Sequence, residues 1–266
     1  MIRLAVRAPA ADADRVLAAL LELAPSGVEQ VDGEGFVEFA VYGAPGELPE
    51  LAEGPADVGG VDVVVSGTEV PGDWEERWKR FHAPVLVGDR IWVRPPWEQE
   101  AVRPGVIDLV IDPGRAFGTG AHPTTRLCLE LLLELETGSL CDLGCGSGVL
   151  SIAAARLGFG PITALDSDRL AIDATAANAR DNGVALERVA RANLREEPAP
   201  EAEVVVANLM RPLLLRVAEL MPGRPRALIA SGLLVEEADE VAAAFAPLKE
   251  RARLTDRGWS ALLLER

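Results

Sequence analysis

Lysine, cysteine, histidine and aromatic side chains are all scarce in this chain, and the shortages narrow what it can be. Lys79 and Lys249 are the only lysines, and 26 basic against 42 acidic residues leave a formal net charge of −16 over 266 residues. Such a surface repels a phosphate backbone and attracts basic partners, which argues against direct nucleic-acid binding. Cys128, Cys141 and Cys145 cannot all pair, and the two that flank a glycine-rich turn have no second ligand cluster, so reduced thiols are expected and no metal site. Aromatics make up only 5% of the residues, but aliphatic content is ample for a sizeable core. No apolar run approaches the roughly 20 residues that span a bilayer, and Met1-Ile2-Arg3-Leu4 lacks the apolar core of a signal peptide. A soluble, cytoplasmic, monomeric protein is expected.

What the chain does have is glycine in the right places. Residues 141 to 148 read Cys-Asp-Leu-Gly-Cys-Gly-Ser-Gly, a short apolar strand turning sharply into the apolar helix expected from Val149 to Leu157. Gly144, Gly146 and Gly148 allow backbone conformations that side chains forbid. A dinucleotide-binding unit wants G-x-G-x-x-G with a pyrophosphate on the helix N-terminus; this chain has G-x-G-x-G preceded by Asp142. The tighter spacing resembles motif I of class I S-adenosylmethionine-dependent methyltransferases, whose ligand presents an ammonium and a carboxylate instead of phosphate. In that reading Asp142 serves the ammonium through bridging groups, and the exposed N–H groups of the loop suit the carboxylate; Gly144 and Gly146 are counted among the cofactor-binding residues. A second apolar run ends in Asp166-Ser167-Asp168, 22 positions after Gly144, the separation that places a carboxylate on ribose hydroxyls. Asp166 is the expected ribose ligand with Ser167 beside it, and Asp168 the cap of the helix from Leu170 to Asn182.

Around this centre the chain divides. Residues 1–66 read as a small α+β domain, with strands at Ile2 to Val6, Gly35 to Val41 and Val61 to Val65, a helix from Ala11 to Leu23, and a loop over Pro45 to Gly60. They carry twelve acids against three arginines, which suggests a docking surface for something basic; a solvated face kept for solubility reads equally well from charge alone. Residues 67–85 form a linker in which Trp74, Trp78 and Phe81 share one helical face, and residues 86–266 are the catalytic domain. Gly88-Asp89 marks a hairpin. A long loop, Asp112 to Arg126, separates a strand at Ile107 to Ile111 from a helix expected from Leu127 to Leu135. In it Phe117 can cover an adenine or a methionine chain, Gly118 and Gly120 supply mobility, and Thr124 or Thr125 caps the helix. His122 reads as structural more readily than as catalytic. Further on, Val204-Val205-Val206-Ala207 ends in Asn208, a polar amide at the carboxyl edge of a strand, where open α/β sheets bind ligands. The alternation is that of a doubly wound α/β sheet, and a turn at Gly258 makes the last strand antiparallel.

Four segments in order, Asp73 to Phe81 with the hairpin that follows, Asp112 to Thr125, Asp142 to Gly148 and Ala207-Asn208-Leu209, resemble the bacterial ribosomal protein L-eleven methyltransferase family over nearly the full length. The resemblance implies a seven-stranded class I methyltransferase fold behind a small N-terminal α+β substrate-recognition domain. It implies S-adenosyl-L-methionine as cofactor, with Thr125, Gly144, Asp166 and Asn208 binding it and Phe117 in a lid-like loop. It also implies N-methylation of lysine and α-amino groups of a basic ribosomal protein; from its place at the sheet edge, Asn208 is expected to orient the amine through its side-chain carbonyl. The N-terminal domain departs from the family in its very acidic, Gly/Pro-rich loop. Methylation of another protein, an RNA or a small molecule on the same fold is the alternative. A dinucleotide oxidoreductase or a non-catalytic binding module is disfavoured by the glycine spacing.

Overall fold

In the computed structural model of the chain the described residues are 2–23, 28–33, 35–43, 48–49, 51–69, 83–99, 104–113 and 120–266. The expected helix carrying Trp74, Trp78 and Phe81, and the loop residues Phe117 and Gly118, lie outside them. The chain forms two compact units, Met1–Phe81 and His82–Arg266.

The first unit runs β1 (Ile2–Pro9), a short 3-10 turn, α1 (Ala13–Leu23), β2 (Glu29–Asp32), β3 (Phe36–Gly43), β4 (Gly54–Val58) and β5 (Val61–Glu69). The strands form one sheet in the order β2-β3-β1-β5-β4, every pair antiparallel. Helix α1 packs over β1, β3 and β4 and buries Val16 and Leu20, as Val6 and Phe39 are buried on the strands. One expectation is corrected here, and two features are added to it. The stretch read as a loop over Pro45 to Gly60 contains β4, joined to β5 through Gly59-Gly60, both left-handed (φ +64° and +76°), so these glycines make a two-residue hairpin turn. Strand β2 was hidden because it is short, polar and on the edge, with no alternation to read. Strand β5 continues to Glu69, past the expected domain end at residue 66.

In the second unit, β6 (Val85–Val87), β7 (Ile91–Arg94) and β8 (Ile107–Val110) form a three-stranded sheet, with Gly88 and Asp89 both at positive φ in the turn between the first two. The remaining elements are α2 (Pro123–Leu132), β9 (Leu140–Leu143), α3 (Val149–Leu157), β10 (Ile162–Asp166), α4 (Arg169–Asp181), β11 (Arg188–Arg191), β12 (Val204–Asn208), α5 (Arg211–Leu220), β13 (Ala227–Leu234), α6 (Ala238–Ala244), β14 (Lys249–Asp256) and β15 (Trp259–Glu265). They build a seven-stranded sheet in the order β11-β10-β9-β12-β13-β15-β14. Strands β9 to β13 are parallel, and β15 is antiparallel to both its neighbours. The alternation of side chains along each strand feeds two cores. Leu140, Val204 and Val206 pack with α2, α3 and the small sheet on one face; Cys141, Leu143, Val205 and Ala207 pack with α5 and α6 on the other. After β9 the chain turns to β10 on one side, while β12 takes up the other. At such a switch point, here the carboxyl ends of β9, β10 and β12, open α/β sheets bind ligands in a crevice.

Candidate functional site

The turn after β9 is built by its glycines and closed by its own hydrogen bonds. Gly144, Gly146 and Gly148 all adopt positive φ (+76°, +54° and +83°). The Gly144 and Cys145 N–H groups donate to the Leu165 carbonyl at 2.8 and 2.9 Å, the Gly148 N–H to the Cys145 carbonyl at 2.7 Å, and the Gly146 N–H to Asp166 Oδ2 at 3.0 Å. The Gly144, Cys145 and Gly146 N–H groups are thus engaged in holding β9 to β10, not turned outward to a ligand carboxylate.

Asp142 lies beneath the turn, fully buried. Its Oδ2 accepts from the Ser151 N–H (3.1 Å) and hydroxyl (2.6 Å) on the first turn of α3, while Oδ1 has no hydrogen-bond partner among the described residues. Burial pushes its carboxyl from 3.8 up to about 6, partly offset by the Ser151 hydroxyl, and the charge of Asp166 adds to the rise. Asp166, at the end of β10 and half-buried, accepts the Gly146 N–H on one oxygen and the Asp168 N–H (2.9 Å) on the other. Asp168 caps α4 through Leu170 N–H at 2.9 Å. The side chain of Ser167 is exposed and its carbonyl accepts from Arg191. Hydrogen bonds thus bring Gly146 and Asp166 directly together, with Gly144 and Asp142 in the same turn.

Asn208 and Thr125 form a second pair. Asn208 ends β12 and donates from Nδ2 to Thr125 Oγ1 at 3.5 Å; Thr125 is fully buried. The Asn208-Leu209 segment fits only because two glycines give it room. A Cβ on Gly144 would strike the Leu209 side chain, and one on Gly232, at φ +86°, would strike the Leu209 backbone. Gly232 sits where the register of β13 shifts against β15, so the strand bulges to admit its neighbour. Helix α2 starts at Pro123, four residues before the expected Leu127, and its cap is His122, not Thr124 or Thr125. The His122 Nδ1 accepts from the Thr124 N–H at 3.4 Å and lies 2.8 Å from the Thr124 hydroxyl. A proline at the first helical position follows the cap because its missing N–H is not needed there.

Reading the sequence missed Asn178 and Asn182. Asn178 on α4 accepts the Asp112 N–H (3.0 Å) and donates to the Ser147 carbonyl (2.8 Å). Asn182 accepts the Val110 N–H and donates to the Val110 carbonyl. The two amides tie the end of β8 and the mouth of the long loop to the glycine turn. The available signal was buried-face asparagine at i, i+4 in a helix, a residue that otherwise competes with helical bonding. A cavity of about 430 Å³ opens elsewhere, at the starts of β9, β12 and β13, with Ser139, Glu203 and Arg226 in its lining. None of the candidate residues lines it, so it has no part in this site.

The model of the family "Ribosomal protein L11 methyltransferase (PrmA)" matches residues 59–266. The ribosomal protein L11 methyltransferase of Pseudomonas putida is 45% identical over 179 residues, which cover 65% of this chain and 61% of that protein. The one from Chromohalobacter salexigens is 41% identical over 199 residues, covering 70% and 64%. The chain therefore spans less than two thirds of the length of these relatives. A solved ribosomal protein L11 methylase from Lactobacillus delbrueckii subsp. bulgaricus shares the fold, with a TM-score of 0.62 at 24% identity over 69% of this chain and 98% of that one. The chain belongs to the ribosomal protein L11 methyltransferase (PrmA) family.

Proposed function

We propose that this chain is an S-adenosylmethionine-dependent protein N-methyltransferase that acts on lysine and α-amino groups of a basic ribosomal protein, the L11 protein named in its relatives. The observation that carries the reading is that the adjacent strands β9 and β12 end in a glycine turn locked by Asp166 and in an amide, Asn208, bonded to Thr125.

The residues present fit this cofactor better than a dinucleotide. The turn spends its glycine N–H groups internally, so they hold neither a pyrophosphate nor a carboxylate, and the preference rests on the acidic side chains around the turn. The buried Asp142 keeps one oxygen without a partner among the described residues, a feature suited to a cationic ligand group reached through a bridge. Asp166 would hold ribose hydroxyls, and Thr125 and Asn208 the reacting end. The bound cofactor supplies a methyl group on a cationic sulfonium.

The protein's share is to present a neutral amine in line with that methyl group. With an unperturbed pKa of ~10.4, only about one lysine amine in a few thousand is neutral at pH 7. Desolvation in the crevice and a neighbouring positive charge both favour loss of the ammonium proton. With Nδ2 of Asn208 directed to Thr125, its Oδ1 is the end left to accept from the amine and aim the lone pair. His122 is a poor base for this step: burial and the nearby Arg126 lower its pKa to about 4, and Nδ1 is engaged in capping α2. The acidic first unit supports a basic substrate. On its β4–β5 hairpin Asp57 and Asp62 are exposed and directly opposed, an arrangement of like charges that a basic partner relieves.

Incubation with methyl-labelled S-adenosylmethionine and a ribosomal extract tests the reading. Label is expected on a small basic ribosomal protein; label on RNA, or saturable NAD binding with none of S-adenosylmethionine, would overturn it.

A further inference from the structure

We propose that His122 and Arg126 are positioning residues: gripped by the β14–β15 hairpin, they set the first turn of α2 so that the Thr125 hydroxyl meets the Asn208 amide. The importance of that contact rests on the reading of Asn208 as the group that orients the amine. The geometry of the grip stands apart from it.

Asp256 and Trp259 are partners directly across the end of the hairpin. His122 and Arg126 are four residues apart at the start of α2, one above the other on the same side of the chain. The His122 ring stands edge-on to Trp259, with centroids 5.1 Å apart and planes at 71°. Arg126 Nη2 donates to Asp256 Oδ2. Trp259 is 2% exposed and pairs with both β13 and β14, so the surface the imidazole rests on is fixed by the sheet. Thr125 lies between the two gripped residues. Its contact with Asn208, at 3.5 Å, is at the outer limit for a hydrogen bond, so a small rotation of the helix start would break it.

The consequence falls on Asn208. A primary amide has two ends of nearly the same shape, one accepting and one donating. The Asn208 amide directs Nδ2 to Thr125 Oγ1, which leaves Oδ1 for an incoming amine. A hairpin that holds none of the candidate site residues thereby sets where the amide is held. The ring does this in its neutral form, because Nδ1 can accept from the Thr124 N–H only while unprotonated. Of the charged groups that face it, Arg126 opposes protonation and Asp256 favours it.

The test uses the side-chain amide resonance of Asn208 in the full-length, nitrogen-labelled protein without cofactor, assigned by its loss in Asn208→Ala. His122→Asn keeps a capping side chain but loses the ring, Asp256→Ala removes a partly exposed anchor outside the core, and Arg126→Lys is the conservative control. In His122→Asn and Asp256→Ala the Asn208 resonance is expected to move, with kcat down roughly tenfold and KM for the protein substrate within about twofold. Arg126→Lys should stay near wild type in both readouts. An Asn208 resonance left in place in both variants, with an otherwise dispersed spectrum, overturns the proposal. If His122→Asn fails to fold, Asp256→Ala alone decides. If the wild-type protein neither binds S-adenosylmethionine nor methylates, the functional reading falls, while the resonance still decides the positioning claim.

Discussion

Asn208 and Asp142 are single side chains whose chemistry can be separated. Replacing Asn208 by Ala should lower kcat by roughly 10²-fold at saturating cofactor, because misplaced reacting atoms forfeit much of the orientation effect. The rate should still rise with pH in wild type and variant alike, since the amine and not Asn208 loses the proton; a kcat within about threefold of wild type would reduce Asn208 to a cofactor contact. Asp142 makes a thermodynamic claim. Its carboxyl is raised from 3.8 to about 6 in the folded chain by burial, so the native state binds this proton more tightly than the unfolded state. Its contribution to stability is therefore fully present below pH ~4 and lost as pH rises through about 6, a cost on the order of 2 to 3 kcal/mol for the ionised form. Urea titrations of the cofactor-free protein at pH 4 and pH 7.5 should show that difference shrinking by about that amount in Asp142→Asn. Equal pH dependence in both proteins would show that the buried carboxylate is better compensated than its unpartnered oxygen indicates.

At the scale of elements, the site depends on β12 passing between the glycine turn and the bulge of β13. Gly232→Ala places a Cβ against the Leu209 backbone in a left-handed conformation. It should cost about 1–3 kcal/mol from backbone strain alone, and more from the clash, read as a lower Tm. Because Leu209 follows Asn208 directly, cofactor affinity and kcat should fall with it. A Tm and kcat both at wild-type level would mean that β12 and β13 can part without disturbing the crevice. The start of α2 depends on packing in the same way: the helix packs on β12, β13, β14 and β15, and those contacts place its cap where sequence periodicity did not.

For the whole molecule, the acidic charge and the candidate site belong to different compact units. Because β5 runs to Glu69 and the first unit to Phe81, the clean truncation removes residues 1–81; a cut at residue 66 would leave part of a strand behind. The truncated protein is expected to bind S-adenosylmethionine within a few fold of the full chain and to lose methylation of the basic protein substrate. Raising salt to ~0.2 M should slow the full-length enzyme on that substrate, because screening shortens the reach of the acidic surface. Full-length rates from the truncated protein would end the docking idea. Among the described residues no helix is long and apolar enough to cross a membrane.

Much of this was legible in the chain alone, for a physical reason: the parallel strands are continuous apolar runs, and the glycines between them stand where only a left-handed backbone closes the turn. Hence β9, α3, β10, α4 and β12 fall within a residue or two of where periodicity put them, and the last strand is antiparallel, as the turn at Gly258 required. Local pattern could not reveal what depends on partners distant in sequence. That β2 and β4 are strands was decided by the strands they pair with, and the ring of His122, the cap of α2, stands against Trp259, 137 positions further on (259 − 122). The internal use of the turn's N–H groups, and the asparagines that tie it to the long loop, depend likewise on β10 and α4 lying against it. Residue types and their spacing specified the chemistry on offer; which atoms remain available for it was settled only when the sheet brought β9, β10 and β12 side by side.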